Sequence, residues 1–353
     1  MKLASKLLGA ASLVALFTMG SGSAFAAGTT SGSTIANTVT INFQVAGVNQ
    51  TAQSATNNVT VDRKVNLTVA NVGATTSVSP GQTAAVTSWT ITNSSNDVLD
   101  IGLAAVNQAG GTAQHGGTDV FDVSNIKYYV MPGNSAVYSA ATAVQVTYLD
   151  EVAADAVMNV FVVADIPAGA TNTQVSGIVL TGTAQAGGTA STQGAVLTAT
   201  VGANTAGVDT VFADAAGSTD SANDGKHSAK GDYTTSAAVL TVSKLSTLIS
   251  DPVNGTTNPK AIPGAVMEYC IVVANGAGGA TATSLGVSDP VPGTTTYSGA
   301  YGIFLNGTVT SGVCNADGTA GGSYNAGTTT VSGTLANLAG GSTSTLRFRV
   351  TIN

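Results

Sequence analysis

Side chains that carry chemistry are scarce in this sequence. Among 353 residues there are two His, two Cys and one Trp, and charged residues make up 8%. That stock leaves little for acid/base, thiol or transition-metal catalysis. Only 11 Lys plus Arg stand against 18 Asp plus Glu, a net charge of -7, so no cationic stripe can neutralise a run of phosphates. Nucleic-acid binding is therefore not expected. The nucleophile elbow, the H-E-x-x-H zinc pattern, C-x-x-C and the P-loop are missing as well, and with them the common hydrolase, zinc and nucleotide signatures. What is present is 43 Gly, many Thr, Ser and Asn, and 43% apolar residues. Such a chain can fold, and its length allows two or three domains.

Lys2 and Lys6 precede an apolar stretch from Leu7 to Met19, and Ser23-Ala24-Phe25-Ala26 then supplies an A-x-A site. This is the layout of a secretory signal peptide, so residues 1–26 are expected to be removed after Ala26. A membrane anchor is the rival reading, but the stretch is short for a span and is interrupted by Gly9. The end of the chain, Leu346 to Asn353, has no terminal apolar span, so the mature protein is expected to be secreted or held at the cell surface without a transmembrane anchor. In that oxidising compartment Cys270 and Cys314 are expected to pair.

Beyond the signal, apolar residues recur at period two, and the chain reads as strands separated by Gly, Asn, Asp and Ser turns. Val39, Ile41, Phe43 and Val45 alternate with Thr40, Asn42 and Gln44. Val59, Val61, Val65, Leu67 and Val69 keep one parity, broken by Arg63. Further strands are expected at Trp89 to Thr92, Leu99 to Leu103, Tyr128 to Met131, Val144 to Tyr148, Val157 to Ile166, Gly177 to Thr181 and Ala195 to Val201. No amphipathic helix separates them, so the fold class is all-β, a sandwich in preference to a parallel sheet. Trp89 lies on an alternating strand and is expected in the core. The closing segment, with Leu346, Phe348, Val350 and Ile352 on one face and Arg347, Arg349 and Thr351 on the other, reads as a terminal strand docked on a core.

One pattern occurs twice. Leu67-Thr68-Val69-Ala70 leads to Pro80-Gly81 and then to Trp89-Thr90-Ile91-Thr92-Asn93. Leu240-Thr241-Val242-Ser243-Lys244 leads to Pro263-Gly264 and then to Tyr269-Cys270-Ile271-Val272-Val273-Ala274-Asn275. Pro-Gly closes a tight turn, β-branched and aromatic residues fill an interior, and Asn opens the next turn. The second copy, continued by Ala280 to Pro292 with its Asp289-Pro290-Val291-Pro292 ending, resembles the bacterial surface-repeat domain DUF11 over residues 240–353. The resemblance implies an immunoglobulin-like module of a secreted or surface protein with no assigned catalytic site. Two features depart from that family's pattern: a Cys pair inside the module, and one clear copy instead of an array. The expected organisation is a signal peptide (1–26), an N-terminal β-sandwich region (27–245) and a DUF11-like sandwich (246–353), two immunoglobulin-like modules in tandem.

Candidate sites are few. His115 and His227 sit in stretches that read as loops. Residues 209–233 read as a long acidic surface loop in which Asp209, Asp214, Asp220 and Asp224 could offer carboxylates to calcium, or serve as turn formers on a solvated loop. No other cofactor is expected. Asp150-Glu151 with Asp155 suits the two-carboxylate chemistry of glycosidases, yet no Trp or Tyr cluster accompanies them, and a solvated turn is the reading kept. The chain is therefore read as a noncatalytic structural or adhesive surface protein whose partners are other surface or matrix proteins or its own copies. Thr34 to Val45 is the candidate strand for adding to a neighbour's sheet, against pairing within its own domain. The alternative role is glycan or protein binding through loops at one end of a sandwich.

Overall fold

Alternating β-branched and small polar residues favour extended chain, and residues 28–353, those the computed structural model describes, are β-strands joined by turns and loops. The expected signal peptide and its cleavage point at Ala26 lie outside the described residues. The first region contains β1 (Thr34–Ile41), β2 (Gln53–Thr60), β3 (Arg63–Val65), β4 (Leu67–Val72), β5 (Thr76–Val78), β6 (Ala85–Asn93) and β7 (Leu99–Asn107). It continues with β8 (Ser124–Val130), β9 (Val144–Val146), β10 (Tyr148–Val152), β11 (Val157–Asp165), β12 (Val175–Ala186), β13 (Thr210–Phe212) and β14 (Lys226–Thr235). The second region contains β15 (Leu240–Ser250), β16 (Val266–Asn275), β17 (Leu285–Pro290), β18 (Thr295–Tyr297) and β19 (Ile303–Gly307). It ends with β20 (Thr319–Ala320), β21 (Ser323–Asn325), β22 (Thr330–Leu335) and β23 (Thr343–Ile352).

Two immunoglobulin-like sandwiches result. In the first, a sheet ordered β9-β8-β11-β6-β4 packs on one ordered β10-β7-β12-β14-β5. Leu67, Trp89, Ile91, Leu99, Ile101, Ile178, Leu180 and Tyr233 fill the space between them. Trp89 takes its expected core position, and its indole N–H is satisfied by Thr87 Oγ1 at 2.9 Å. In the second, a sheet ordered β15-β16-β23-β19-β20, with β18 also on β23, faces a smaller sheet ordered β17-β22-β21. Its core holds Ile271, Val273, Val331, Leu346, Phe348 and Val350.

The repeated pattern has a structural meaning. Leu67 pairs opposite Asn93 where β4 meets β6, and Leu240 pairs opposite Asn275 where β15 meets β16. Both Asn side chains are buried corner ties. Asn93 Nδ2 donates to the carbonyls of Val152 (2.8 Å) and Asp97 (2.9 Å), and its Oδ1 accepts from the Ser95 N–H at 3.0 Å. Asn275 Nδ2 donates to Ala280 (2.7 Å) and Leu338 (2.9 Å), and its Oδ1 accepts from the Val239 N–H at 2.9 Å.

Three sequence expectations need correction. The boundary expected at residue 245 falls inside β15, which pairs with β16 from Leu240 to Ser250; the change of module lies at 236–239. The stretch 209–233 is not one loop, because Thr210–Phe212 pairs with β3 and β14 is an internal strand of the first sandwich. Of its buried positions Ser228, Gly231, Asp232, Tyr233 and Thr235 only Tyr233 is large and apolar, so no apolar period announces it. Ala195 to Val201 forms only an isolated bridge, Val196 to Gln185. The closing segment is, as expected, a terminal strand docked on a core: β23 sits between β16 and β19 with Leu346, Phe348 and Val350 buried, and its Arg face is covered as well.

That cover is the segment around Cys314, bonded to Cys270 with 6.6 Å between their Cα atoms. Beneath it Arg347 is buried, donating to Glu268 Oε1 (3.1 Å), Tyr301 Oη (2.7 Å) and the Asp317 carbonyl (2.7 Å). Arg349 Nε donates to Glu268 Oε2 at 3.0 Å. Burial pushes the Glu268 carboxyl up, but hydrogen bonds from Tyr301, Arg349 and Arg347 outweigh it and hold the group below its ordinary value.

Candidate functional site

The feature that the rest of the fold leaves unexplained is the N-terminal hairpin. β1 and β2 pair antiparallel from Thr34 opposite Thr60 to Ile41 opposite Gln53, and together they form a sheet of their own. Gln44–Val45 and Val48–Asn49 prolong it to a tip turn at Ala46 and Gly47, whose φ values of 50° and 82° give the left-handed pair that a two-residue hairpin turn needs. The base is tied to the first sandwich by Ser31 N–H to the Asn96 carbonyl (3.0 Å) and by Asn96 Nδ2 to the Thr29 carbonyl (3.1 Å).

The pairing register sorts the side chains cleanly. One face carries Thr34, Ala36, Thr38 and Thr40 opposite Thr60, Asn58, Thr56 and Ser54, with hydroxyl bonds Thr38 to Thr56 (2.7 Å) and Thr40 to Ser54 (2.8 Å). The other face carries Ile35, Asn37, Val39 and Ile41 opposite Val59, Asn57, Ala55 and Gln53, and Phe43 and Val45 follow. Apart from the Asn37–Asn57 pair and Gln53 this second face is apolar, yet Val39 and Ile41 are each 58% exposed. Between Thr34 and Thr60 there is no charged residue. A two-stranded ribbon with a bare apolar face is marginal in water, and its open edges are templates for further strands. Thr34 to Val45 thus pairs within its own chain, but not within either sandwich.

The other candidates are held by internal bonds, except for Asp220 Oδ1, which is buried without a hydrogen-bond partner. Asp209 accepts from Thr205 N–H (2.8 Å) and Thr205 Oγ1 (2.7 Å); Asp214 accepts from the N–H groups of Gly225 (3.0 Å) and Asp224 (3.1 Å). Asp220 accepts from Gly217 N–H at 3.0 Å, and Asp224 from Lys226 N–H at 2.9 Å. These four aspartates brace turns, as turn-forming Asp does, and do not converge on one point as a calcium cage requires. Among the described residues the carboxylates that do converge, within 4.8 Å, are Asp100, Asp150 and Glu151. Asp150 and Glu151, expected on a solvated turn, lie on β10, and Asp100, which no local sequence signal marks, lies 50 positions away on β7. Asp100 accepts from Glu151 N–H (2.9 Å) and Gly194 N–H (2.8 Å), Asp150 from Ser191 N–H (2.9 Å), and Glu151 from Gly188 N–H (2.6 Å) and Thr189 N–H (2.9 Å). The cluster is a clamp on the backbone of residues 188–194.

His115 lies in a loop, as expected, whereas His227 lies on a strand, β14, where its Nδ1 accepts from Val69 N–H at 3.0 Å, which puts its proton on Nε2. His115 is exposed as a residue but its ring is held, Nδ1 against Asp232 Oδ1 (2.9 Å) and Nε2 against the Gly73 carbonyl (3.0 Å). With both ring nitrogens engaged, His115 is a staple between loops. Among the described residues no helix is long and apolar enough to cross a membrane.

Comparison with known proteins adds little. No family model matches the chain, and no curated protein matches it. Among solved structures it is similar to a chaperone-tip adhesin complex of CFA/I fimbriae biogenesis, at 9% identity and a TM-score of 0.21 over 79% of this chain and 86% of that one. It is similar to the collagen adhesin of S. aureus at 12% identity and a TM-score of 0.21, over 83% and 84% of the two chains. Likeness at this level transfers neither topology nor partner.

Proposed function

We propose that this chain is a secreted or cell-surface structural and adhesive protein, without a catalytic site, that joins other chains through the β1–β2 hairpin. The observation that carries this reading is the hairpin's uncovered apolar face, an interior surface for which its own chain provides no interior. Exposed patches of that kind mark interaction sites, and an uncharged ribbon with two free edges suits strand addition. The DUF11 resemblance of the second module fits the same surface role. The carboxylate and His clusters, spent on backbone bonds, favour a building element over an enzyme.

The test is light scattering on the mature chain. Wild type is expected to grow in mass with concentration, whereas a Val39→Asp, Ile41→Asp chain stays monomeric with an unchanged far-ultraviolet spectrum. Equal masses for the two chains would overturn the reading. Immunogold labelling of producing cells tests the location, with label on the envelope or on extracellular filaments as the expected result.

A further inference from the structure

The second sandwich is missing two strands that the first one has. In the first, β7 is followed across its sheet by β12 and then β14, and these two strands roof over β4 and β6. A Cβ at Gly182 of β12 would lie 3.2 Å from both Leu67 and Val69, and one at Gly231 of β14 would strike the Trp89 ring at 2.7 Å. In the second sandwich the next strand after the corner Asn is β17, and there the sheet stops, since β17 pairs with β22 on one side and with no named strand on the other. The place where the roof would be is an open apolar groove of about 380 Å³ between β15–β16 and β17, lined by Leu240, Val242, Ile271, Val273, Leu285 and Val287.

We infer that this groove receives the β1–β2 hairpin of a second copy of the chain, which supplies the two absent strands. The match is one of form and of charge. The missing piece, β12 with β14, is an antiparallel pair, and so is the hairpin. The hairpin carries no charge from Thr34 to Thr60, and the one charged pair on the groove, Lys244 with Asp289 at 2.7 Å, neutralises itself. Laid beside β17, the hairpin would turn Ile35, Val39 and Ile41 onto Leu240 and Val242, two apolar faces that are each bare in the single chain. Donor and acceptor are different surfaces, so each copy keeps one of each free and the contact propagates head to tail as an open filament.

The inference rests on the hairpin being the joining element, and mixing experiments separate the two claims. Val39→Asp with Ile41→Asp leaves a chain with a groove only; Leu240→Asp with Val242→Asp leaves a chain with a hairpin only. All four positions are exposed, and melting curves should match wild type. By sedimentation velocity, wild type forms an open series, each variant alone is a monomer, and the equimolar mixture has twice the monomer mass and no larger species. If the Leu240→Asp, Val242→Asp chain associates like wild type while the Val39→Asp, Ile41→Asp chain does not, the hairpin joins elsewhere, for instance to another hairpin, and the groove assignment is overturned. A mixture that stays monomeric, or a wild type that is monomeric at every concentration, overturns it too.

Discussion

Leu67 and Val69 of the first sandwich stand at the same register as Leu240 and Val242 of the second, counted from the corner Asn opposite, yet the first pair is 0% and 2% exposed and the second 43% and 68%. Local sequence is not the cause, since Leu-Thr-Val opens both strands. The difference is the roof: β12 and β14 lie over the first pair, and among the described residues no strand lies over the second. Alternation therefore sets which residues share a face, and the number of strands in the opposite sheet sets whether that face is dry. A module built one pair of strands short is unfinished as a monomer, and the hairpin is the complementary surplus.

The comparison can be broken most sharply at Val69 and Val242. Val69→Asp places an unpaired charge in the first core and is expected to cost more than about 4 kcal/mol, enough to unfold that sandwich, whereas Val242→Asp should stay within about 0.5 kcal/mol for the monomer by urea denaturation. Next in size is the disulfide, present in the second sandwich alone among the described residues. Replacing Cys270 and Cys314 by Ala opens a loop spanning 44 positions and should lower the stability of that module by about 4 kcal/mol, moving only one of two calorimetric transitions.

A pH scan sharpens the contrast from the first module's side. Burial pushes the Tyr233 phenol up to about 12. Its folded value lies above the unfolded one, so the unfolded chain loses this proton first. The contribution is whole below pH 10 and is lost as pH rises through about 12, amounting to about 3 kcal/mol. An ultraviolet titration should show one phenol ionising late, and Tyr233→Phe should abolish it. By contrast Asn93→Ala and Asn275→Ala test what the modules share. Each leaves buried carbonyls unpaired and should cost its own module about 2 kcal/mol, equally in both. The smallest effect expected is His227→Ala, about 1 kcal/mol, confined to the first sandwich through the orphaned Val69 N–H.

Much of this architecture was legible in residues 28–353. Period-two alternation revealed the strands, the paired Leu-Thr-Val, Pro-Gly and Asn marks revealed the repeat, and Cys270 with Cys314 pair as the compartment argument required. What was not legible has physical reasons. β14 reads Lys-His-Ser-Ala-Lys-Gly-Asp-Tyr-Thr-Thr because it must pass close to Trp89, where only Gly231 fits, and must hold His115 with Asp232. Its polar wording therefore looks like a loop. The convergence of Asp100 with Asp150 and Glu151 depends on β7 lying beside β10, a long-range pairing that local spacing does not encode. Alternation at Val39 to Val45 announced a dry face but could not say that no strand among the described residues covers it.

Amide hydrogen exchange followed against protein concentration tests the central claim most directly. Residues 34–60 should exchange fast in dilute monomer and gain protection as concentration rises, together with residues 285–290 and in the same proportion. Exchange at 34–60 that is already slow in the monomer, or that stays fast while the rest of the protein assembles, would contradict the account.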